Sequence, residues 1–149
     1  MPIRALIYVS EAAPGIAGDK LGLVTGKLDQ IVDDAARFNR EAGVTGVLFF
    51  DGHRFLQYME GPQDGLMVAY SRVIGSISHS AIIELQRCRV GQRRLPFWPM
   101  RWLPIEPPQL RGLVRADWTG FSERREPDAP SQTGMDLLRQ AVEPYANAA

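Results

Sequence analysis

The strand-like runs of this chain are apolar on both faces. Ile3 to Val9 sets Leu6 and Tyr8 on one side and Ala5, Ile7 and Val9 on the other. Arg54 to Glu60 sets Phe55 and Met59 against Leu56 and Tyr58. Successive side chains of a strand point to opposite faces. A sheet built from such strands must be covered on both sides. The two helical patterns interleaved with the strands cover only one side, so the remainder of the chain has to supply the other cover.

The order of elements follows from period and punctuation. After strand 1 (Ile3–Val9), Ser10 to Gly22 is rich in Gly, Ala and Pro and reads as a loop. Leu28, Ile31, Val32 and Ala35 recur at helical spacing and predict a helix over Leu23–Arg40, with Gly43 past its end. Val44–Phe50 and Arg54–Glu60 read as strands 2 and 3, joined by the two-residue hairpin turn Asp51-Gly52. Gly61-Pro62 breaks the chain. Leu66, Tyr70 and Val73 share one face of a helix over Leu66–Ile74. Ile82–Cys88 reads as strand 4 and Phe97–Trp102 as a fifth, with Pro99 marking an edge. This is an α+β, ferredoxin-like β-α-β-β-α-β order with an additional fifth strand. The implied sheet order 4-1-3-2 makes strands 1 and 3 central neighbours. Beyond the proline-rich joint Pro104–Pro108, Leu110–Val114 reads as a short helix. Met135, Leu138, Ala141, Val142 and Tyr145 trace the apolar stripe of a last one. Pro127–Gly134 reads as a mobile connection. The division expected is 1–104 as the principal domain and 105–149 as a C-terminal helical cap on the second sheet face.

Composition narrows the function. The chain has 149 residues, 17 basic and 17 acidic side chains and no formal net charge. That balance argues against general nucleic-acid binding, which rests on excess Lys and Arg, and against an anionic membrane surface. No apolar run approaches the ~20 residues of a spanning helix. Cys88 alone forms no internal disulfide and suits a reducing, cytoplasmic setting. His53 and His79 lack ligand spacing, so no metal site is expected.

Three polar residues interrupt the apolar pattern: Gln57 between Phe55 and Met59 on one strand face, Tyr8 beside Leu6, and Asn39 at the end of the stripe Leu28, Val32, Ala35. Each alone admits a plain role, as a structural hydrogen bond, a core filler or a helix ending. A buried amide without partners costs roughly 1–3 kcal/mol, so Gln57 needs a partner. Together a phenol and two amides converge on an apolar space under the helices, the makings of a small-molecule site. No nucleophile–base pair, carboxylate pair or phosphate loop accompanies them, so hydrolytic or transfer chemistry is not indicated and the chain reads as a non-enzyme.

From Pro2 to Leu103 the residues resemble the BLUF family, blue-light receptors that bind a flavin. The resemblance rests on Leu6-Ile7-Tyr8-Val9-Ser10, Ala35-Ala36-Arg37-Phe38-Asn39 and Gly43-Val44-Thr45-Gly46-Val47-Leu48. It continues through Asp51-Gly52, Phe55-Leu56-Gln57, Glu60-Gly61 and Trp98-Pro99-Met100. It implies a flavin held between the two helices, with FAD expected and FMN or riboflavin left open. It implies that Tyr8 is the redox-active tyrosine and that Gln57 lies between it and the flavin, rearranging its hydrogen bonds after light. Asn39 matches the residue bonding the ring's polar edge, and Ile31 and Val73 match those gripping the ring. Trp98 and Met100 match residues of the last strand that pass the signal on. Ile31 and Val73 would equally be core in any such fold, and Trp98 and Met100 would equally pack a sheet edge.

The pattern is not complete. Where the family has Asp-x-Arg-His, this chain has Ser76-Ile77-Ser78-His79. Arg72, one turn earlier, is placed to compensate, or else is a solvated helix residue. Ala17-Gly18-Asp19-Lys20 is surplus in the first loop. Residues 105–149 are too few for an output enzyme, so the signal is expected to pass to a partner protein or to another copy in a homo-oligomer. A flavin-free or light-insensitive interaction module is the alternative. An acylphosphatase-like enzyme ranks last, because Ser10–Gly15 holds no arginine for a phosphate loop.

Overall fold

Alternate residues of the central strands enter two separate cores, and the rest of the chain is arranged around that fact. In the computed structural model residues 2–14, 27–76, 79–95, 98–123 and 132–146 are described. They form β1 (Ile3–Ala12), α1 (Lys27–Ala42), β2 (Thr45–Phe50), β3 (Arg54–Pro62), α2 (Gln63–Ile74), β4 (His79–Arg89) and β5 (Trp102–Pro104). There follow α3 (Pro107–Arg115), a 3-10 turn (Thr119–Phe121) and α4 (Gly134–Ala146). The five-stranded sheet has the order β4-β1-β3-β2-β5. All pairings are antiparallel except the short parallel contact of β2 with β5. The expected ferredoxin-like core and added strand are present.

One sheet face meets α1 and α2 through Leu6, Tyr8, Leu48, Phe55 and Met59. The other carries Ala5, Ile7, Val9, Val47, Phe49, Leu56 and Tyr58. Leu110, Leu113, Trp118, Phe121, Met135, Leu138 and Val142 of the C-terminal segment bury that second face. The second cover demanded by the strand composition is therefore this cap. Gly134 opens α4 where a Cβ would strike the Trp118 ring, so the helix starts flush against the indole.

Several boundaries differ from expectation. β1 runs on through Ala12, because Ala12 N–H donates to His53 O at 2.9 Å and extends the ladder. α1 continues past Arg40 to Ala42 before Gly43, at φ +74, turns the chain and Val44 N–H closes on Asn39 O at 2.9 Å. The stretch 23–26 of its expected start, the surplus residues 17–20, and 127–131 of the expected mobile connection lie outside the described residues. The hairpin is longer than a two-residue turn. Asp51 Oδ1 accepts both His53 N–H and Arg54 N–H, at 2.9 and 2.7 Å, and Gly52 takes φ +101. β4 starts at His79 rather than Ile82. β5 covers Trp102–Pro104, so it starts at the last residue of the expected strand, whose Phe97 lies outside the described residues. Pro99 keeps residues 98–101 irregular, since it offers no N–H to a ladder.

The two sheet-facing helices meet at a small residue. A Cβ on Gly65, in the first turn of α2, would overlap the Ala42 carbonyl at the end of α1. Gly65→Ala gains about 1 kcal/mol of helix propensity, but overpacking against rigid backbone costs roughly 1–3 kcal/mol. A net loss of up to about 2 kcal/mol is expected, read as a lower denaturant midpoint.

Candidate functional site

Tyr8 and Gln57 are direct cross-strand partners in the β1–β3 register. The antiparallel pairing sends both side chains to the helix-covered face. Both are buried. The Tyr8 hydroxyl donates to Gln57 Oε1, and Gln57 Nε2 donates to Met100 Sδ at 3.4 Å. Burial, with Tyr70 beside it, raises the Tyr8 phenol far above its ordinary value, so it stays protonated and remains the donor in this pair. The amide thus bridges β1 to the segment before β5. A thioether is a weak acceptor, so that end of the bridge is the readily exchanged one.

A cavity of about 330 Å³ opens between α1 and α2 above this bridge. Tyr8, Ile31, Asn39, Gln57, Arg72, Val73, His79 and Met100 all line it. Buried Asn39 donates its Nδ2 to Pro99 O at 2.9 Å, a second tie between the cavity wall and residues 98–101. His79 is held at both ring nitrogens. Nε2 lies 2.6 Å from Val73 O, and a carbonyl only accepts, so Nε2 carries the proton. Nδ1 lies 2.7 Å from Ser10 Oγ, within hydrogen-bond distance. His79 therefore joins the end of α2 to β1 while forming one wall.

Arg72 is exposed at the mouth, its guanidinium 4.2 Å above the Phe38 ring. A shallower vestibule continues outward there, lined by Asp34, Arg37, Phe38, Glu41 and Arg72. Ser76 stands on the cavity rim, whereas Ser78 lies outside the described residues. Trp98 is the one expected site residue that does not line the cavity. It packs against the cap-side core, its ring 5.0 Å from the Arg101 guanidinium. Trp98 and Met100 precede β5 instead of lying on it, so the two residues serve different faces of the sheet.

The sequence pattern assigns no site role to Ser10, Phe38 or Tyr70. Ser10 is a buried hydroxyl at a strand end, and Tyr70 sits with its ring 6.0 Å from that of Tyr8. Phe38 adjoins Asn39 on a helix whose apolar stripe was legible, but its stacking on Arg72 depends on the approach of two helices.

The donor set fits a planar, polar-edged heterocycle: apolar walls on α1 and α2, amide and phenol groups on the floor, and Arg37 and Arg72 beside Asp34 and Glu41 at the mouth. Among the described residues no group of three or more His, Cys, Asp or Glu is placed to hold a metal ion. No helix among them is long and apolar enough to cross a membrane. Fold and cavity together define a ferredoxin-like small-molecule-binding module.

The model of the family "BLUF: Sensors of blue-light using FAD" matches residues 3–101, and the chain belongs to that family. The family's module is a flavin-using photosensor. The "Blue light- and temperature-regulated antirepressor BluF" of Escherichia coli (strain K12) is 36% identical over 59 residues, covering 40% of this chain and 15% of that protein. The solved structure "BlrB - a BLUF protein, dark state structure" superposes with a TM-score of 0.65 at 22% identity over 99% of this chain and 98% of that one. "BlsA photo-activated state" gives 0.66 at 21% identity over 95% of each chain. These last two likenesses extend through the cap and speak to the fold.

Proposed function

We propose that this chain is a blue-light receptor that holds a flavin between α1 and α2 and reports illumination through Gln57. The observation that carries the reading is the bridge Tyr8–Gln57–Met100 on the floor of an apolar cavity. A bound flavin supplies the blue absorption and an excited state that accepts an electron and a proton. Tyr8 is the protonated donor within reach of the amide. Gln57 is the group that exchanges hydrogen-bond partners, and Asn39, Ile31, Val73 and His79 shape the walls. Residues 1–104 act as the sensor and 105–149 as the cap that receives the signal. No net reaction is catalysed. FAD is the proposed flavin, on the strength of the family description. The signal is passed on as a change of shape, to a partner protein in the cytoplasm or to a second copy of this chain. The antirepressor above supports the partner route. A visible spectrum of the purified protein loaded with FAD, before and after blue light, tests the reading. A reversible red shift is expected, and a yellow protein with an unmoving spectrum overturns it.

Arg72 provides a cation at the mouth, where a phosphate-bearing tail would leave the cavity. A charge-assisted bond is worth roughly 1.5–3 kcal/mol. Arg72→Ala is expected to weaken FAD binding by about tenfold to a hundredfold, with a smaller effect on riboflavin, both measured by fluorescence titration. Equal losses for the two flavins would remove Arg72 from the phosphate role. A flavin-free interaction module is the second reading, favoured by Ser76 on the rim where the family carries an acid. A protein that stays colourless after incubation with excess flavin would select it.

A further inference from the structure

Residues 98–102 are tied to every layer of the molecule. Trp98 O accepts from Gly46 N–H at 3.0 Å and Arg101 O from Leu48 N–H at 2.8 Å, which docks the backbone to β2. On the cavity side Pro99 O accepts from Asn39 and Met100 Sδ from Gln57. Trp102 Nε1 donates to Asp29 of α1 at 2.7 Å. Toward the cap, the Arg101 guanidinium lies between two rings, 5.0 Å from Trp98 and 5.6 Å from Tyr145 of α4. Arg101 is therefore a side chain through which this segment contacts the last helix.

The grip falls on the weakest turn of that helix. Pro144 lies inside α4. It has no N–H to donate to the carbonyl four residues back and its ring crowds that carbonyl, so the final turn is poorly held from within. The earlier turns are anchored by Met135, Leu138 and Val142, all fully buried in the cap-side core. Tyr145 is only half-buried. A turn with a missing bond and few apolar anchors opens at low free energy, and a contact from outside decides how often it does so.

We propose that Arg101 is a positioning residue that couples the cavity to α4: its guanidinium, clamped between Trp98 and Tyr145, holds the last turn of α4 closed only while Met100 keeps its contact with Gln57. When the Gln57 amide turns away from Met100, the segment loses one of its three side-chain ties on the helix side and keeps those to Asn39 and Asp29. Arg101, the next residue, shifts with it, and Tyr145 loses its cation. The released element is the Pro144-bearing turn, and the rest of α4 stays docked on its buried stripe. The light-driven form of this step rests on the flavin reading. The coupling itself is a property of the protein's own side chains and needs no pigment.

The test is hydrogen exchange of residues 140–146 by mass spectrometry on the full chain, loaded with FAD, in darkness and under blue light. In the unaltered protein, light is expected to speed exchange there by about twofold to fivefold, the range a single cation–π face contributes. Arg101→Ala should bring dark exchange up to the lit level and erase the light-minus-dark difference, while the spectral shift on illumination is kept. Arg101→Lys should retain part of the difference, because an ammonium also sits over an aromatic face. A light response of residues 140–146 that survives Arg101→Ala undiminished overturns the proposal. A double-mutant cycle in flavin-free protein separates this failure from that of the light-sensing reading. Met100→Ala and Tyr145→Ala should show less than additive effects on exchange in residues 140–146 if the coupling is real, and fully additive effects if it is not.

Discussion

Gln57→Leu is expected to give a protein that still takes up flavin and stays yellow but no longer shifts its absorption to the red under blue light. The substitution puts an apolar side chain of similar size on the cavity floor. It removes both the oxygen that accepts from Tyr8 and the nitrogen that donates to Met100. The Tyr8 hydroxyl is left buried without its acceptor, at a cost of roughly 1–3 kcal/mol, so modest destabilisation should accompany loss of the response. Steady-state absorption in darkness and under illumination measures it. A full red shift in this variant would show that the amide is not the switching group, whatever else the cavity does.

The largest loss of stability is expected at Glu60. This buried carboxylate accepts from Tyr58 Oη at 2.8 Å and from the backbone N–H groups of Arg94 and Leu95, at 2.7 and 3.0 Å for the nearer oxygens. It thereby pins the loop after β4 across the cap-side end of β3. Arg93 reinforces the same join, its guanidinium donating to Gly43 O at 2.6 Å and Thr45 Oγ1 at 2.9 Å. Glu60→Leu strands three buried or half-buried donors at once, and a loss on the order of 4 kcal/mol is expected. For a chain of this length that corresponds to a melting temperature lower by roughly 10 °C. A drop of only a degree or two would mean that the loop finds other acceptors.

Glu60 also sets a pH dependence. Burial raises its carboxyl above the ordinary value, more than the bonds from Tyr58, Leu95 and Arg94 and the charge of Arg93 lower it. The folded chain therefore keeps this proton at pH values where the unfolded chain has released it. By linkage the group's contribution is fully present below the ordinary carboxylate range and declines as the pH rises from there through the raised value. Glu60→Gln should flatten that part of the stability profile in denaturant titrations across mildly acidic pH.

How much of this was legible depends on the range of the interaction. Side-chain alternation sets Gln57 with Phe55 and Met59 in one strand and Tyr8 with Leu6 in the other; the register of β1 and β3, which no local pattern fixes, places the two opposite each other. The need for a second cover followed from the same residues, and so did its location in the C-terminal third. What failed was set by contacts distant in sequence. β5 forms where Leu103 meets Phe49 in a three-residue parallel contact, which no local pattern announces. Glu60 looked like the polar end of a strand, because the loop that buries it returns some thirty residues later. Trp98 and Met100 both match signal-passing residues of the family's last strand, yet an irregular backbone around Pro99 sends their side chains to opposite layers. Tyr145 belongs to the apolar stripe of α4, and nothing local to it points to Arg101.

The strands here work as a shared partition wall with cargo on each side. Leu56 and Tyr58 face the cap while Gln57 between them faces the cavity. A chain cut after Pro104 would leave Ala5, Ile7, Val47, Phe49, Leu56 and Tyr58 bare to water. A continuous oily surface of that kind draws in a substitute, whether another molecule of the same protein or a stray hydrophobic partner. The sensing half is accordingly expected to behave as a sticky, self-associating fragment when separated from its lid.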